Sequence, residues 1–164
     1  MARISTRSNP LLTILCAGLV AGTLDITYAC VFAYLRRGVA PAAVFRSVAS
    51  GALGPGARQG GMTVALLGLG FHFLIALTVA AIYYFAGRAI PFLITHAVVS
   101  GLLYGLCVYL VMYGIVMRYS AIHSQIPPWR YPWAVLIPNV LIHMLGIGLP
   151  IAVIVRNFST HGNE

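Results

Sequence analysis

Residues 11–34 read LLTILCAGLVAGTLDITYACVFAY, an apolar run with a single acidic side chain, Asp25, inside it. The run is longer than the roughly 20 residues that an α-helix needs to cross a bilayer. It follows two basic residues, Arg3 and Arg7, but its apolar core is too long for a signal peptide. We therefore expect a retained membrane-spanning helix, with Pro10 suited to its first position.

The composition of the whole chain indicates the same environment. Of the 164 residues, 60% are hydrophobic and only 7% are charged, whereas about a quarter of an average soluble domain is charged. The net charge of +8 comes from Arg without any Lys, and these Arg lie between apolar runs rather than in one basic patch. We therefore expect the lipid bilayer, and not nucleic acid, as the partner. Cys16, Cys30 and Cys107 lie in apolar runs, which argues against a zinc finger or a disulfide framework.

Four apolar stretches predict an all-α membrane protein with four transmembrane helices in an antiparallel bundle. The predicted helices cover 11–34, 61–86, 92–117 and 133–155, in a single integral membrane domain over 1–164. In the first loop, apolar side chains recur at helical spacing over 41–53. This pattern predicts a short amphipathic helix that lies in the membrane interface or re-enters the bundle.

Small residues and prolines predict how these helices pack. Gly18 and Gly22, and likewise Gly101 and Gly105, have the GxxxG spacing that lets helix backbones approach closely. Such contacts form within a bundle or between copies, so a homo-oligomer is a partner hypothesis. The prolines of the fourth helix predict a kink.

Arg and Trp side chains next to the helix ends predict anchors at the level of the lipid headgroups. The predicted anchors are Arg36, Arg37, Arg88, Arg118, Trp129, Arg130, Trp133 and Arg156. Six Arg lie in the first and third loops, and four lie in the N-terminus, the second loop and the C-terminal tail. The count alone puts the first and third loops inside, but the basic segment before the first helix favours cytoplasmic termini, which we expect.

One polar side chain in each predicted helix lies at a similar depth. Counted from the helix ends at the first and third loops, four residues lie nine to eleven positions inside: Asp25, His72, Cys107 and His143. At 1.5 Å per residue this level is about 15 Å deep, near the middle of the hydrocarbon core. Tyr28 and Asn139 lie three and four residues from Asp25 and His143, on the same helix faces, and complete the predicted polar site.

Three interpretations of this polar site stay open. In the first, the side chains bond to one another and fix the helices of the bundle. In the second, Asp25 and the His side chains carry protons in a proton-coupled transporter or channel for a small solute. In the third, Asp25, His72 and His143 bind a metal ion, or the two His hold a haem. The first interpretation needs no cofactor and is our starting point.

An enzymatic activity is not expected from this sequence. It contains no GxSxG, HExxH or P-loop motif, and the only acid besides Asp25 is Glu164. General acid and base chemistry would then depend on one Asp and on His side chains. We therefore assign no catalytic residue.

Short motifs spread over most of the chain carry a family resemblance. They are AGTLDI at 21–26, VASGALG at 48–54, LGFHF at 69–73 and LIHM at 141–144, followed by GLP at 148–150. Together they resemble a family of uncharacterised bacterial four-helix inner-membrane proteins and, more distantly, YagU-type proteins. The resemblance implies the bacterial inner (plasma) membrane and a retained first helix. It also implies that Asp25, His72 and His143 are motif positions, without assigning an activity to them.

Overall fold

The computed structural model describes residues 9–123 and 126–160, which form helices and contain no strand. Arg3, Arg7 and Glu164 lie outside the described residues. Four helical spans are long and apolar enough to cross a membrane: Pro10–Arg37, Met62–Ala89, Ala97–Tyr119 and Trp133–Ser159. The chain is therefore a multi-pass membrane protein.

The elements are numbered in chain order, and two of the spans consist of several pieces. They are α1 (Pro10–Arg37), α2 (Pro41–Leu53), a 3₁₀ turn (Pro55–Gln59), α3 (Met62–Ala89), α4 (Pro91–Thr95), α5 (Ala97–Val111), a π-helical turn (Met112–Val116), α6 (Met117–Tyr119), a 3₁₀ turn (Pro128–Arg130), α7 (Trp133–Ile142), a second π-helical turn (His143–Gly148) and α8 (Leu149–Thr160). The third span consists of α5, the first π-helical turn and α6. The fourth consists of α7, the second π-helical turn and α8.

Helix α1 begins and ends at residues suited to those positions. The Asn9 side chain accepts hydrogen bonds from two backbone N–H groups of the first turn, at 3.1 and 3.4 Å. The helix ends before Gly38, whose left-handed backbone (φ 64°) suits glycine. The predicted end at residue 34 was too early, and the helix continues to Arg37. Basic side chains in a last turn interact favourably with the helix dipole, which supports the longer helix.

The third span differs from the continuous helix predicted over 92–117. The short helix α4 stops at His96, whose backbone angles (φ −112°, ψ 45°) are not helical, and α5 begins after it. At this break the Leu93 carbonyl accepts hydrogen bonds from the hydroxyl groups of Tyr83 and Ser100, both at 2.9 Å. Side chains therefore bond to backbone where the helix is interrupted, and Tyr83 joins this point to α3.

The fourth span has a π-helical turn where the sequence predicted a kink. The Leu149 N–H donates to the Met144 carbonyl, five residues before it. Pro150 has no N–H for the Gly146 carbonyl, its partner in a regular α-helix, so a change of pairing at this place is expected. The span also continues to Thr160, five residues beyond the predicted end at 155.

The GxxxG glycines lie at two different helix interfaces. Helix α1 packs against α3 and against the fourth span, and α5 packs against the fourth span from another side. Gly18 and Gly22 face α3, whereas Gly101 and Gly105 face the backbone of the second π-helical turn and the start of α8. Their small size allows these close backbone contacts.

Arg36 forms a hydrogen bond between α1 and α7. Pro138 lies inside α7 and has no N–H, so the Ala134 carbonyl one turn before it lacks its usual helical donor. The Arg36 Nη1 group donates to this carbonyl at 2.9 Å. The side chain that was predicted as a headgroup anchor therefore also satisfies a backbone acceptor that Pro138 leaves open.

This contact predicts an energetic coupling between Arg36 and Pro138. We expect Arg36→Ala to lower the free energy of unfolding in detergent by about 1.5–3 kcal/mol, as for a hydrogen bond from a charged group. The adjacent exposed residue Arg37 provides the control, and Arg37→Ala should change little. Pro138→Ala restores the missing N–H, so Arg36→Ala should cost clearly less in that background. Equal losses in both backgrounds would contradict the contact.

Candidate functional site

A cavity of about 550 Å³ lies among α1, α2, α3 and the third and fourth spans. Most of the side chains that line it are apolar. Both π-helical turns contribute to its wall, through Tyr113 and His143 among others. The polar residues that line it are Asp25, Tyr28, Ser47, His72, Tyr113, Ser120, Asn139 and His143.

Five of the six residues predicted for the polar site lie around this cavity: Asp25, Tyr28, His72, Asn139 and His143. Cys107 is the exception. Its side chain is exposed and does not line the cavity, so the prediction that Cys107 belongs to the polar site is corrected. From α5, the residue next to it, Val108, lines the cavity instead. Successive residues of an α-helix are turned by about 100°, so an equal depth along the axis does not bring a side chain to the same face.

The Asp25 carboxylate lines the cavity without a bonding partner among the residues that the structure describes. No residue within 9–123 or 126–160 forms a hydrogen bond or an ion pair with it, and no Arg of these ranges lines the cavity. The carboxylate does act electrostatically on the side chains of Tyr28, Tyr113 and His143. An acid without a counter-charge in mainly apolar surroundings is unfavourable, so it needs a functional or structural reason.

The Tyr28 hydroxyl group, one turn along α1 from Asp25, also has no hydrogen-bond partner within the described chain. Among the described residues it is the buried side-chain polar atom for which no hydrogen bond is found. The Tyr28 ring stacks on Phe32, with ring centroids 5.3 Å apart. A buried polar group without a hydrogen bond costs about 1–3 kcal/mol. The cavity side of α1 therefore carries two neighbouring polar groups with which no described residue forms a hydrogen bond.

The His side chains, in contrast, bond to the backbone. His72 donates from Nε2 to the Gly22 carbonyl at 2.8 Å, which joins α3 to α1. His143 donates from Nδ1 to the Asn139 carbonyl at 2.7 Å, within the fourth span. The Tyr113 hydroxyl donates to the Asn139 Oδ1 atom at 3.4 Å and so joins the third and fourth spans. Among the described residues, His72 and Tyr113 make hydrogen bonds that join spans around the cavity, and Asp25 makes none.

The metal interpretation has no matching geometry. No three His, Cys, Asp or Glu side chains of the described part of the chain come together as a metal-binding group, so Asp25, His72 and His143 do not form one. A haem with two axial His needs both rings at one iron. His72 instead uses Nε2 in its bond to Gly22, and the His143 ring lies edge-on to Tyr109, at 5.5 Å between centroids. These residues do not fit either group.

The sequence reasoning missed Tyr113 and the part that α2 plays. Tyr113 follows Tyr109 by four residues, and both rings lie against His143, so an aromatic pair at helical spacing was the available signal. The apolar side of α2 was predicted to face the membrane interface or the bundle. Val44 and Val48 of that side line the cavity.

The residues predicted as interface anchors are all exposed: Arg36, Arg37, Arg88, Arg118, Trp129, Arg130, Trp133 and Arg156. Arg88 also donates from Nη1 to the Tyr84 hydroxyl group at 3.3 Å, and its guanidinium lies 6.0 Å from the centre of that ring. Exposure suits contact with headgroups. The anchoring role itself stays a prediction.

Comparisons with protein-family models, with curated proteins and with solved structures find no match for this chain. The resemblance to YagU-type proteins therefore stays a prediction. Function has to be inferred from the cavity and from the residues around it.

Proposed function

We propose that this protein is a small membrane transporter that binds its solute in the cavity, with Asp25 as the central binding group. The observation that carries this proposal is the Asp25 carboxylate, which lines a cavity of about 550 Å³ without a hydrogen bond or ion pair from any described residue. The volume is in the range of small-molecule sites, which is roughly 300–1,000 Å³. Acids inside membrane spans commonly mark pathways for substrates, ions or protons.

A purely structural role for Asp25 receives less support. An acid that fixes helix positions has to bond across an interface, as His72 does with Gly22. Asp25 makes no such bond to a described residue. The proposed transport is proton-coupled, because a proton can neutralise the carboxylate when the solute has left. The polar residues that line the cavity then have two roles. His72, Tyr113 and Asn139 fix the spans, and Asp25 binds the solute.

The proposal also includes the arrangement in the membrane. The four spans alternate in direction, and α2 lies at the headgroup level, where Val44 and Val48 cover the cavity. The side of α2 that lines the cavity is apolar apart from Ser47, whereas Arg46 on the same helix bonds to the Arg58 carbonyl at 3.1 Å, outside the cavity lining. The termini are cytoplasmic and the membrane is the bacterial inner membrane, as the basic N-terminal segment and the motif resemblance indicate.

Asp25→Asn tests whether Asp25 is a binding group rather than a structural one. The measurement is the stability of the ligand-free protein. Since the carboxylate has no bonding partner to lose among the described residues, we expect an unchanged unfolding temperature in detergent or a rise of about 2–4 °C for each kcal/mol of stability gained. His72→Phe is the matched control, because it removes the bond to Gly22 and should lower the unfolding temperature.

The same pair of variants shows whether ligands act at Asp25. In a thermal-shift screen of small molecules, a ligand at 100 times its Kd stabilises the native state by about 2.7 kcal/mol. Compounds that stabilise the wild-type protein should not stabilise Asp25→Asn. If Asp25→Asn instead lowers the unfolding temperature as His72→Phe does, Asp25 has a structural role and the proposal fails.

A further inference from the structure

We infer that the ligand of this cavity is an organic cation with an apolar body, such as an alkylated or arylated ammonium or phosphonium ion. The inference rests on the proposed function, because it specifies the ligand of the same site. It follows from the charge, the lining and the size of the cavity.

The described residues place no opposite formal charge in the cavity. Asp25 is the acidic residue of the described chain, and no Arg of the described residues lines the cavity. Each of the two His side chains donates from one ring nitrogen to a backbone carbonyl, which leaves its second ring nitrogen without a hydrogen bond to a described residue. A ligand can supply the missing positive charge. The pairing is strong, because charges in apolar surroundings interact more strongly than in water.

The lining selects an organic cation over a metal ion. Ca²⁺ and Mg²⁺ need about six oxygen ligands, and transition metals need several His, Cys or carboxylate groups, a set that the described residues do not form. The aromatic residues Tyr28, Phe71 and Tyr113 line the same cavity as Asp25. Aromatic rings together with a carboxylate are the composition that recognises alkylated ammonium groups.

The size of the cavity requires an apolar body on the cation. A volume of about 550 Å³ is far larger than an ammonium group and suits a drug-sized molecule. Val44, Val48 and Met112 are among the apolar side chains that would contact such a body. Tyr28, whose hydroxyl group has no hydrogen-bond partner among the described residues, lines the same cavity one helical turn along α1 from Asp25.

Tetraphenylphosphonium and tetraphenylborate test this inference, because they have the same shape and opposite permanent charges. We expect purified wild-type protein in an uncharged detergent to bind tetraphenylphosphonium saturably in equilibrium dialysis, with one ion per chain. Asp25→Asn should weaken this binding by about 30-fold or more, as the loss of one partner of a buried charge pair does. Thr27→Val, at an exposed position of the same helix, should leave it unchanged.

A variant that fills the cavity distinguishes two questions: whether the cavity binds a ligand at all, and whether that ligand is a cation. Val48→Trp adds bulk to the lining and should block binding of tetraphenylphosphonium. If tetraphenylborate alone binds and Val48→Trp blocks it, the cavity takes ligands but the cation inference is wrong. If neither ion binds to the wild-type protein, or if Asp25→Asn and Val48→Trp bind the cation as the wild type does, the inference and the proposed site both fail.

Discussion

Gly105→Val is expected to prevent folding of the bundle, whereas Gly70→Val is expected to be tolerated. A Cβ atom at Gly105 would overlap the His143 carbonyl oxygen and lie 2.6 Å from the Met144 Cα atom. These are backbone atoms of the second π-helical turn, which cannot move aside as a flexible side chain can. A Cβ atom at Gly70 would have no atom within 4 Å. Gly70 nevertheless lies well away from the ends of a spanning helix, as Gly105 does.

The expected loss for Gly105→Val is about 3 kcal/mol or more, at the upper end of what overpacking costs. The measurement is the yield of monodisperse protein in gel filtration, followed by thermal unfolding of whatever is recovered. Gly70→Val controls for the introduction of a β-branched residue into an apolar helix. A Gly105→Val protein with the wild-type unfolding temperature would contradict the packing of α5 against the fourth span.

Hydropathy predicts the spans but not their interruptions. A run of about 20 apolar residues is needed to cross a bilayer, so the runs in this sequence predict four spans. The observed ends of the spans differ from the predicted ones because they depend on local contacts. Helix α1 continues to Arg37 and stops before Gly38, which adopts a left-handed backbone. The break at His96 involves hydrogen bonds from Tyr83 and Ser100 to the Leu93 carbonyl, about which hydrophobicity carries no information. The π-helical turn at His143 precedes Pro150, which the sequence contains but a hydropathy profile does not register.

The candidate site was partly predictable for a similar reason. Position along a helix gives depth, and depth indicated that Asp25, His72 and His143 lie at one level. Rotation about the axis decides which side chains face the cavity, and it separates Cys107 from Val108. The hydrogen bonds could not be predicted either. His72 bonds to Gly22, whereas Asp25 bonds to no described residue. This difference depends on how α1 and α3 pack.

The bond from Arg36 shows which further signal the sequence contained. A proline inside a helix leaves the carbonyl four residues before it without a donor, so Pro138 marks Ala134 as an open acceptor. The sequence does not state which donor will reach it. That donor comes from the end of α1, because α1 packs against the fourth span.

Gly68→Val is expected to detach α2 from α3 while the four spans stay folded. A Cβ atom at Gly68 would overlap the Phe45 carbonyl oxygen of α2 and lie 3.0 Å from the Ala49 backbone nitrogen. Helix α2 can respond by moving away, because it is only 13 residues long and lies between two glycines with positive φ, Gly38 and Gly54. A spanning helix at the same interface has no such freedom.

Amide hydrogen exchange measures this detachment. Strain of about 1–3 kcal/mol should increase exchange in 41–53 by about 10- to 100-fold, with α3 itself largely unchanged. Gly70→Val is again the control, because no atom lies within 4 Å of the Cβ position. Unchanged exchange in α2 would contradict the close contact with Gly68.

The same variant connects the position of α2 to ligand binding. Val44, Val48 and Ala52 belong to the wall that α2 contributes to the cavity, so its departure removes apolar contacts with a bound ligand and admits water to Asp25. Water weakens the attraction between the carboxylate and a cation. Gly68→Val should therefore bind tetraphenylphosphonium more weakly although Asp25 is intact, and Gly70→Val should bind it as the wild type does. Full affinity together with fast exchange in α2 would mean that the ligand is held by the spans alone.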